Sequence, residues 1–326
     1  MVGPAGIGKS ALAAQLLQQS APALAGQFDC IVWKSIFYAP PLKELLGELN
    51  LLLSTYLQLE PSTSQSLPEQ VSQMISYLRS GRCLVVLDSA ETLLQGNQTS
   101  FSPYGGQNAA FGQFLRRLAE EQLPSRLLLL SRKPFQDINR FATAGKSTAQ
   151  MLLRGLEQKD TQGFLRSRKI ASQPSWGDLV SLTRGNPHLL TQAANRIREF
   201  FGGEVNRFIR YSITLDPYFL EALEGEFGPA GSSTAGERWL VVHLADQIQQ
   251  GADPVPVSAL LNAWQHQHQE ARSRTELWAA IDVLTQAALV EKVKEKPEIH
   301  LSLAPLMKKY VAEREEIRAY LAGHSQ

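Results

Sequence analysis

The alternation of apolar and polar positions divides the chain into two parts. In the first part, short apolar runs that suit buried strands alternate with stretches in which apolar residues recur at helical spacing. The predicted strands are "FDCIVW" at 28–33, "CLVVLD" at 83–88, "RLLLLSR" at 126–132 and "QMLL" at 150–153. Strands that alternate with helices are typical of a parallel α/β sheet. We therefore predict an α/β domain at the start of the chain.

Helical spacing dominates from Gly155 onward. The segment Gly185-Asn186-Pro187 interrupts it, and Pro187 suits the first position of a new helix. A Gly-, Ser- and Pro-rich stretch at 225–236 indicates a linker. Beyond it the pattern predicts three helices, a hairpin with strands at 289–292 and 299–303, and a terminal helix at 305–321. Three helices followed by a hairpin suggest a winged helix.

The first ten residues, "MVGPAGIGKS", contain the pattern G-x-x-x-x-G-K-[ST]. Gly6 and Gly8 let successive backbone N–H groups point at a polyphosphate, and the following helix adds the positive end of its dipole. Lys9 would reach the outer phosphates, and the Ser10 hydroxyl would ligate Mg²⁺. The pattern predicts a P-loop for ATP or ADP, with binding residues Gly3, Pro4, Ala5, Gly6, Ile7, Gly8, Lys9, Ser10 and Ala11.

A P-loop normally follows a buried strand, but only Met1 and Val2 precede this one. Either the strand lies upstream on a longer chain, or the protein is a degenerate remnant that binds nucleotide poorly. A central parallel strand is buried on both faces, and its absence would leave unpaired backbone groups on both neighbouring strands. We therefore expect the strand to lie upstream.

Three further residues extend the predicted site. Asp88 follows four apolar residues, as in a Walker B strand, and lies where it can hold Mg²⁺. Arg132 ends the next strand, where a cation could sense the terminal phosphate. Glu91 is the nearest additional carboxylate. It could act as the base that activates water, or it could be a helix N-terminal residue stabilised by the dipole.

Composition narrows the class of partners. The chain has 326 residues, 44% of them hydrophobic, and a net charge of +1. This balance argues against nucleic acid or an anionic membrane as the main partner.

Cys30 and Cys83 each lie in an apolar run, which favours buried free thiols in a reducing cytosol. No apolar run approaches membrane-spanning length, so we expect a cytoplasmic protein. His266 and His268 do not share a helical face, which argues against a metal site there.

The P-loop, Asp88, Arg132 and the Gly185–Pro187 segment follow one another in the order found in the STAND ATPases. The chain resembles most the NB-ARC domains of bacterial, particularly cyanobacterial, signalling proteins. The stretches "FDCIVWKSI", "APPLKELLGEL", "YLRSGRCLVVLDSAETLLQ", "RLLLLSRKP" and "LLRGLEQKD" support the likeness. The resemblance implies a nucleotide domain, a small helical domain and a winged helix that clamp ADP or ATP. It also implies an effector and a repeat-containing sensor on a longer parent chain.

Carried over by position, the resemblance makes Asp88 the Walker B acid, Arg132 the first sensor and Pro187 the contact on the adenine side. Two departures matter besides the missing strand. Ser89 stands where many members have a second acid, so efficient hydrolysis is not expected. Leu303-Ala304-Pro305 replaces a Met-His-Asp motif, which removes the usual His contact to ADP.

These observations predict a nucleotide-binding domain at 1–156, a helical domain at 157–214 and a winged-helix domain with a C-terminal helix at 215–326. The predicted function is an ATP/ADP-dependent signalling switch that oligomerises with itself when ATP is bound and hydrolyses ATP slowly, if at all. The alternative is a DNA-binding regulator that reads duplexes through the winged helix. The near-neutral charge argues against that alternative.

Overall fold

The computed structural model describes residues 1–19, 26–60, 66–94, 109–135, 138, 141, 148–211, 217–228, 231–268, 274–295 and 297–313. The chain divides into two compact units. The first comprises residues 1–2 and 9–152, and the second comprises residues 3–8 and 153–326. Residues 3–8, which form the P-loop turn, thus belong to the second unit, whereas Lys9 and the residues that follow it belong to the first. The three-domain division drawn from the sequence stays a prediction.

A parallel sheet forms the centre of the first unit. Its strands β1 (Cys30–Ser35), β2 (Cys83–Asp88) and β3 (Arg126–Leu129) lie in the order β1-β2-β3. All but the last residue of β2 are buried, because helices cover both faces of a parallel sheet. The α/β prediction is confirmed. The fourth predicted strand, at 150–153, is reduced to an isolated bridge at Leu152.

Met1 and Val2 occupy the place of the expected P-loop strand. Val2 bridges Ser131 on one side and Leu152 on the other, both in parallel. The Met1 ammonium donates to the Leu129 carbonyl at 2.7 Å, and the Met1 carbonyl accepts from the Ser131 N–H at 3.0 Å. The prediction that both neighbouring strands lack a partner is therefore corrected. Met1 and Val2, which lead directly into the P-loop, therefore supply hydrogen-bond partners for part of both neighbouring segments.

The helices of the first unit are α1 (Lys9–Gln19), α2 (Leu42–Tyr56), α3 (Leu67–Ser80) and α4 (Ala109–Glu120), with a short 3₁₀ helix at Ala90–Leu94 after β2. Helix α2 buries the leucine stripe that its spacing predicts: Leu42, Leu45, Leu46, Leu49 and Leu53. These leucines join one face of the sheet in the main core of this unit. The core holds the carboxyl ends of β2 and β3 in place beside the predicted site.

Cys30 and Cys83 lie opposite each other on β1 and β2, and both are free and buried. Burial raises the pKa of the Cys30 thiol to about 12. The Cys30 thiol is therefore protonated and unreactive at neutral pH.

The second unit is mainly helical. Its helices are α5 (Gln158–Ser167), α6 (Trp176–Thr183), α7 (Pro187–Phe200), α8 (Val205–Tyr211), α9 (Pro217–Phe227), α10 (Ala235–Gln249), α11 (Val257–Gln267), α12 (Arg274–Gln286) and α13 (Pro305–Glu313). A small antiparallel sheet has the order β4-β6-β5, with β4 at Val255–Pro256, β5 at Val290–Lys294 and β6 at Ile299–Leu303. The predicted terminal helix is observed to Glu313, and its remainder lies outside the described residues.

The predicted linker at 225–236 is shorter than its composition indicates. Helix α9 runs into it as far as Phe227, and α10 begins at Ala235. Thr234 and Glu237 form a capping box that starts α10 within the stretch. Ser, Thr and Gly therefore act here as helix-terminal residues as well as loop residues. Within the described residues, no helix is long and apolar enough to cross a membrane.

Candidate nucleotide site

The P-loop turn adopts a backbone that favours glycine. Gly6 has φ 68° and Gly8 has φ 97°, both in the left-handed region. A Cβ on Gly8 would meet no atom within 4 Å, whereas one on Gly6 would lie 2.6 Å from the His188 Cβ. The turn is thus packed on one side and open at Gly8, directly before the N-terminus of α1. An open concave turn of backbone at a helix start fits a phosphate group.

Asn186 holds this turn from within the second unit. Its side-chain amide donates to the Ala5 carbonyl at 2.8 Å, and its Oδ1 accepts from the His188 and Leu189 N–H groups at 3.0 and 3.3 Å. The His188 N–H also donates to the Gly6 carbonyl at 3.3 Å. Asn186 therefore caps α7 and fixes the P-loop with the same side chain. The sequence reasoning named Pro187 and missed Asn186, although an Asn before a helix-starting Pro is itself a capping signal.

Pro187 occupies the first turn of α7, as predicted, with its neighbours His188 and Asn186 against the P-loop. Ala5 and Leu189 are both buried and pack together with Ala222 and Leu306. Pro187 thus lies in the segment that supports the loop. Its assigned contact to adenine stays a prediction.

The first unit brings four predicted side chains within electrostatic range of one another. Burial lowers the pKa of Lys9 to about 8, Glu91 and Asp88 act to raise it, and Arg132 acts to lower it further. Removing an ammonium from water disfavours its charged form, so Lys9 is a cation that lacks full solvation. The negative charge of a bound polyphosphate would stabilise the charged form of Lys9.

Asp88 ends β2 at the carboxyl edge of the sheet. Its Oδ1 accepts from the Ser89 N–H at 2.8 Å, which orients the carboxylate. Ser10, the second residue of α1, is exposed, and within the described residues its hydroxyl makes no hydrogen bond to the protein. Hydroxyl and carboxylate oxygens are the ligands that Mg²⁺ prefers. The donor set therefore fits Mg²⁺, and Ser10 and Asp88 are the residues that would hold it.

Glu91 binds Arg132. The Glu91 carboxylate accepts from the Arg132 Nε at 2.7 Å through one oxygen and from the Arg132 backbone N–H at 3.0 Å through the other. Glu91 is only 9% exposed, and it lies in the 3₁₀ helix that follows β2. Glu91 lies in the first turn of this helix, and both of its oxygens bind Arg132; the choice between the two roles that the sequence left open stays a prediction.

The pKa of Lys9 predicts how nucleotide affinity varies with pH. Phosphates bind the protonated amine and would raise its pKa, so binding takes up a proton above pH 8. We expect ADP affinity to be level between pH 7 and 8 and then to fall about tenfold for each further pH unit. Titration calorimetry at several pH values measures this profile. The Lys9→Arg variant stays charged and should give a level profile; an equal slope in both proteins would contradict the assignment.

Comparison with known sequences finds a family and a relative for this chain. A NACHT domain family model matches residues 1–172, more than half of the chain. An uncharacterised WD repeat-containing protein of Nostoc sp. strain PCC 7120 is 33% identical over 218 residues. That stretch is 65% of this chain but only 17% of the relative, so the chain spans a small part of its relative's length.

Among solved structures, the ORC2 protein of Aeropyrum pernix, determined as ADPNP–ADP complexes, superimposes with a TM-score of 0.51. The match covers 98% of this chain and 88% of that one at 15% identity, so the likeness concerns the fold alone. It supports the P-loop nucleotidase fold that the first ten residues and the parallel sheet predict.

The resemblance to STAND-class ATPases is confirmed, while the NB-ARC assignment within that class stays a prediction. On the match over residues 1–172, the chain belongs to the NACHT domain family of P-loop nucleotidases.

Proposed function

We propose that this chain is the core of a nucleotide-operated signalling switch. It binds ATP or ADP with Mg²⁺, and the bound nucleotide sets its association with further copies and with an effector. The observation that carries the proposal is Lys9, a partly buried amine whose pKa is lowered to about 8 by desolvation, at the end of an open P-loop turn. An ammonium whose charged form is disfavoured by desolvation gains stability when an anionic ligand approaches it.

Each residue has a distinct role in this proposal. Backbone N–H groups from Gly3 to Ala11 surround the phosphates, and Lys9 pairs with the outer ones. Ser10 and Asp88 hold Mg²⁺, which would neutralise phosphate charge when bound. Arg132 contacts the terminal phosphate, and Pro187 borders the adenine.

Contacts within the second unit support coupling of the P-loop to the C-terminal segment. Asn186 bonds to the Ala5 carbonyl, and Arg184, two residues earlier, forms an ion pair with Glu291 on β5. The turn at 184–188 therefore touches both the P-loop and the hairpin that we assign to a winged helix. A change in the P-loop on nucleotide binding would alter the support of this turn, as a switch requires.

The proposed parent protein carries effector and repeat domains on a longer chain. The WD repeats named in the Nostoc relative support this arrangement. We expect slow turnover, because Glu91 is engaged by Arg132 and Ser89 stands where a second acid would lie. Sedimentation velocity with ADP and with a non-hydrolysable ATP analogue tests the switch: a larger species with the analogue alone is expected, and identical profiles would contradict it.

Replacing Asp88 with asparagine tests the metal role. Asparagine keeps an oxygen for the Ser89 N–H but loses the negative charge that Mg²⁺ needs. We expect Mg²⁺-dependent ADP affinity to fall about tenfold or more, while metal-free affinity stays within about twofold. Calorimetry with Mg²⁺ and with a chelator measures both values, and the exposed Asp178→Asn is the control. Unchanged Mg²⁺ dependence would make Asp88 a structural residue.

A further inference from the structure

The ion pair between Glu91 and Arg132 holds one edge of the arginine. Glu91 takes the Nε and the backbone N–H, at 2.7 and 3.0 Å. An arginine side chain has five N–H donors, four of them on its two terminal nitrogens. In the part of the chain that the structure describes, those two nitrogens make no hydrogen bond. The side chain of Arg132 is 28% exposed, so its terminal fork is accessible to an anion.

Both partners stand on fixed backbone. The Ala90 N–H donates to the Leu130 carbonyl, and the Leu130 N–H donates to the Leu87 carbonyl, each at 2.9 Å. These bonds tie the 3₁₀ helix to the end of β3. The Ser131 hydroxyl donates to the Lys133 carbonyl at 2.6 Å and so closes the turn that carries Arg132. An arginine whose backbone N–H and Nε are both bonded to one carboxylate on such a frame loses little freedom when it binds a ligand.

The negative charge of Glu91 does not by itself favour phosphate binding. A carboxylate near a phosphate repels it, and it repels a triphosphate more than a diphosphate. A buried carboxylate beside a phosphate site therefore weakens binding unless it places a cation well. Glu91 does so through the Nε edge, which leaves the planar fork of Arg132 for bidentate contact with phosphate oxygens.

We propose that Glu91 is a positioning residue that orients Arg132 toward the outermost phosphate and thereby sets the preference of this site for a nucleoside triphosphate over a diphosphate. The proposal rests on the proposed nucleotide-binding function and adds the origin of its selectivity. It assigns Glu91 neither to the activation of water nor to general stabilisation of a helix. Arg132 is the residue that touches the ligand, and Glu91 acts through it.

The test is the Glu91→Gln variant, measured by calorimetry with ADP and with a non-hydrolysable ATP analogue in Mg²⁺. We expect the analogue to bind about tenfold more weakly, because the amide loses the charge and one of the two acceptors that hold Arg132. ADP, which lacks the outermost phosphate, should bind within about twofold of wild type. The ratio of the two dissociation constants is the readout, so neither value depends on turnover.

Other results would overturn the proposal. Tighter binding of both nucleotides, with the larger gain for the triphosphate, would mean that Glu91 acts only through its charge. Unchanged affinities with lost single-turnover hydrolysis would make it a base. In an Arg132→Ala background, Glu91→Gln should leave the affinity for the analogue equal or higher, because only the repulsion by the carboxylate is removed. A further loss of analogue binding there would show a role of Glu91 that is independent of Arg132.

Two variants guard against indirect effects. Glu121→Gln breaks the comparable ion pair to Arg79, which has an N–O distance of 2.6 Å, and should leave both affinities unchanged. Arg132→Lys keeps the positive charge but lacks the Nε that Glu91 holds. It should lose the triphosphate preference even if Glu91→Gln does not fold, and a retained preference would overturn the proposal. If the wild-type chain bound ADP but showed no preference, this inference alone would fail, whereas binding of neither nucleotide would overturn the proposed function as well.

Discussion

Replacing Lys9 with alanine is expected to abolish measurable ADP and ATP binding while leaving the unliganded protein at least as stable as wild type. Lys9 is the only side-chain cation in the P-loop sequence. A charge-assisted hydrogen bond contributes about 1.5–3 kcal/mol, and an amine that bonds to two phosphates contributes more. We therefore expect an affinity loss of about a hundredfold or greater.

The expected effect of this substitution on stability follows from the lowered pKa of Lys9. Burial lowers the pKa to about 8 in the folded chain, below its value in an unfolded one. The protonated amine therefore destabilises the fold at pH 7. This cost begins to fall as pH rises above about 8 and is lost only above 10.5, the ordinary pKa of a lysine. Thermal melting should show an equal or higher midpoint for Lys9→Ala at pH 7. The difference between the two proteins should shrink at pH 9.

The exposed Lys43 on α2 provides the control, because Lys43→Ala changes the net charge equally without touching the P-loop. It should bind ADP as wild type does. Wild-type affinity in Lys9→Ala would sink the P-loop assignment. A large fall in its unliganded melting midpoint would instead mean that the charge of Lys9 is needed for folding.

Adding an apolar strand of about five residues before Met1 is expected to stabilise the first unit by several kcal/mol. A cavity of about 530 Å³ lies beside Met1 and Val2. Its lining includes apolar residues of β3 and α4 together with 148–150. Residues placed before Met1 would run alongside β3, because Met1 and Val2 already pair with Leu129 and Ser131 in parallel. Successive side chains of a strand point to opposite faces of the sheet, so about every second side chain would enter this cavity and the others would pack on the opposite face.

The expected change in the free energy of unfolding is the difference between two large opposing contributions. Burying five apolar side chains contributes about 1.5–3 kcal/mol each, and ordering five residues costs about 1–2 kcal/mol each. The extension also replaces the Met1 ammonium, whose pKa is lowered first by burial and then by the charge of Lys9. A neutral amide in that position removes a buried charge. A net gain of a few kcal/mol should raise the melting midpoint by roughly 5–10 °C.

A Gly/Ser extension of equal length separates the two contributions. It also converts the ammonium to an amide and offers the same backbone, but it fills no cavity. It should recover only the part of the gain that comes from the lost charge. Equal melting of all three proteins, with and without ADP and Mg²⁺, would mean that two residues suffice for this position in the sheet.

Local pattern predicted most of the first unit. The limits of β2 and the buried stripe of α2 agree with the structure because short-range periodicity fixes which face of an element is apolar. The isolated bridge at Leu152 was predicted as a full strand. An apolar run forms a strand only where a neighbouring backbone runs alongside it, and Val2 is the only residue seen beside this one in the described part of the chain.

The same distinction between local pattern and long-range contact applies to the candidate site. The P-loop pattern alone predicts Lys9 and Ser10 as site residues, because the signature of a phosphate-binding loop at a helix start is local in sequence. Glu91 and Arg132 are 41 residues apart, and their bond depends on the adjacency of β2 and β3. Asn186 is 181 residues from Ala5, and no spacing rule connects them.

The parallel α/β class, the P-loop and the order of its predicted accessory residues could all be read from the printed sequence. Each of these rests on contacts between residues near in the chain or on a repeated period. Tertiary structure decided which side chains hold the site in place: Glu91 on Arg132, and Asn186 on the P-loop turn. Such contacts form only when distant segments are brought together by burial of the core, so composition and spacing carry no signal of them.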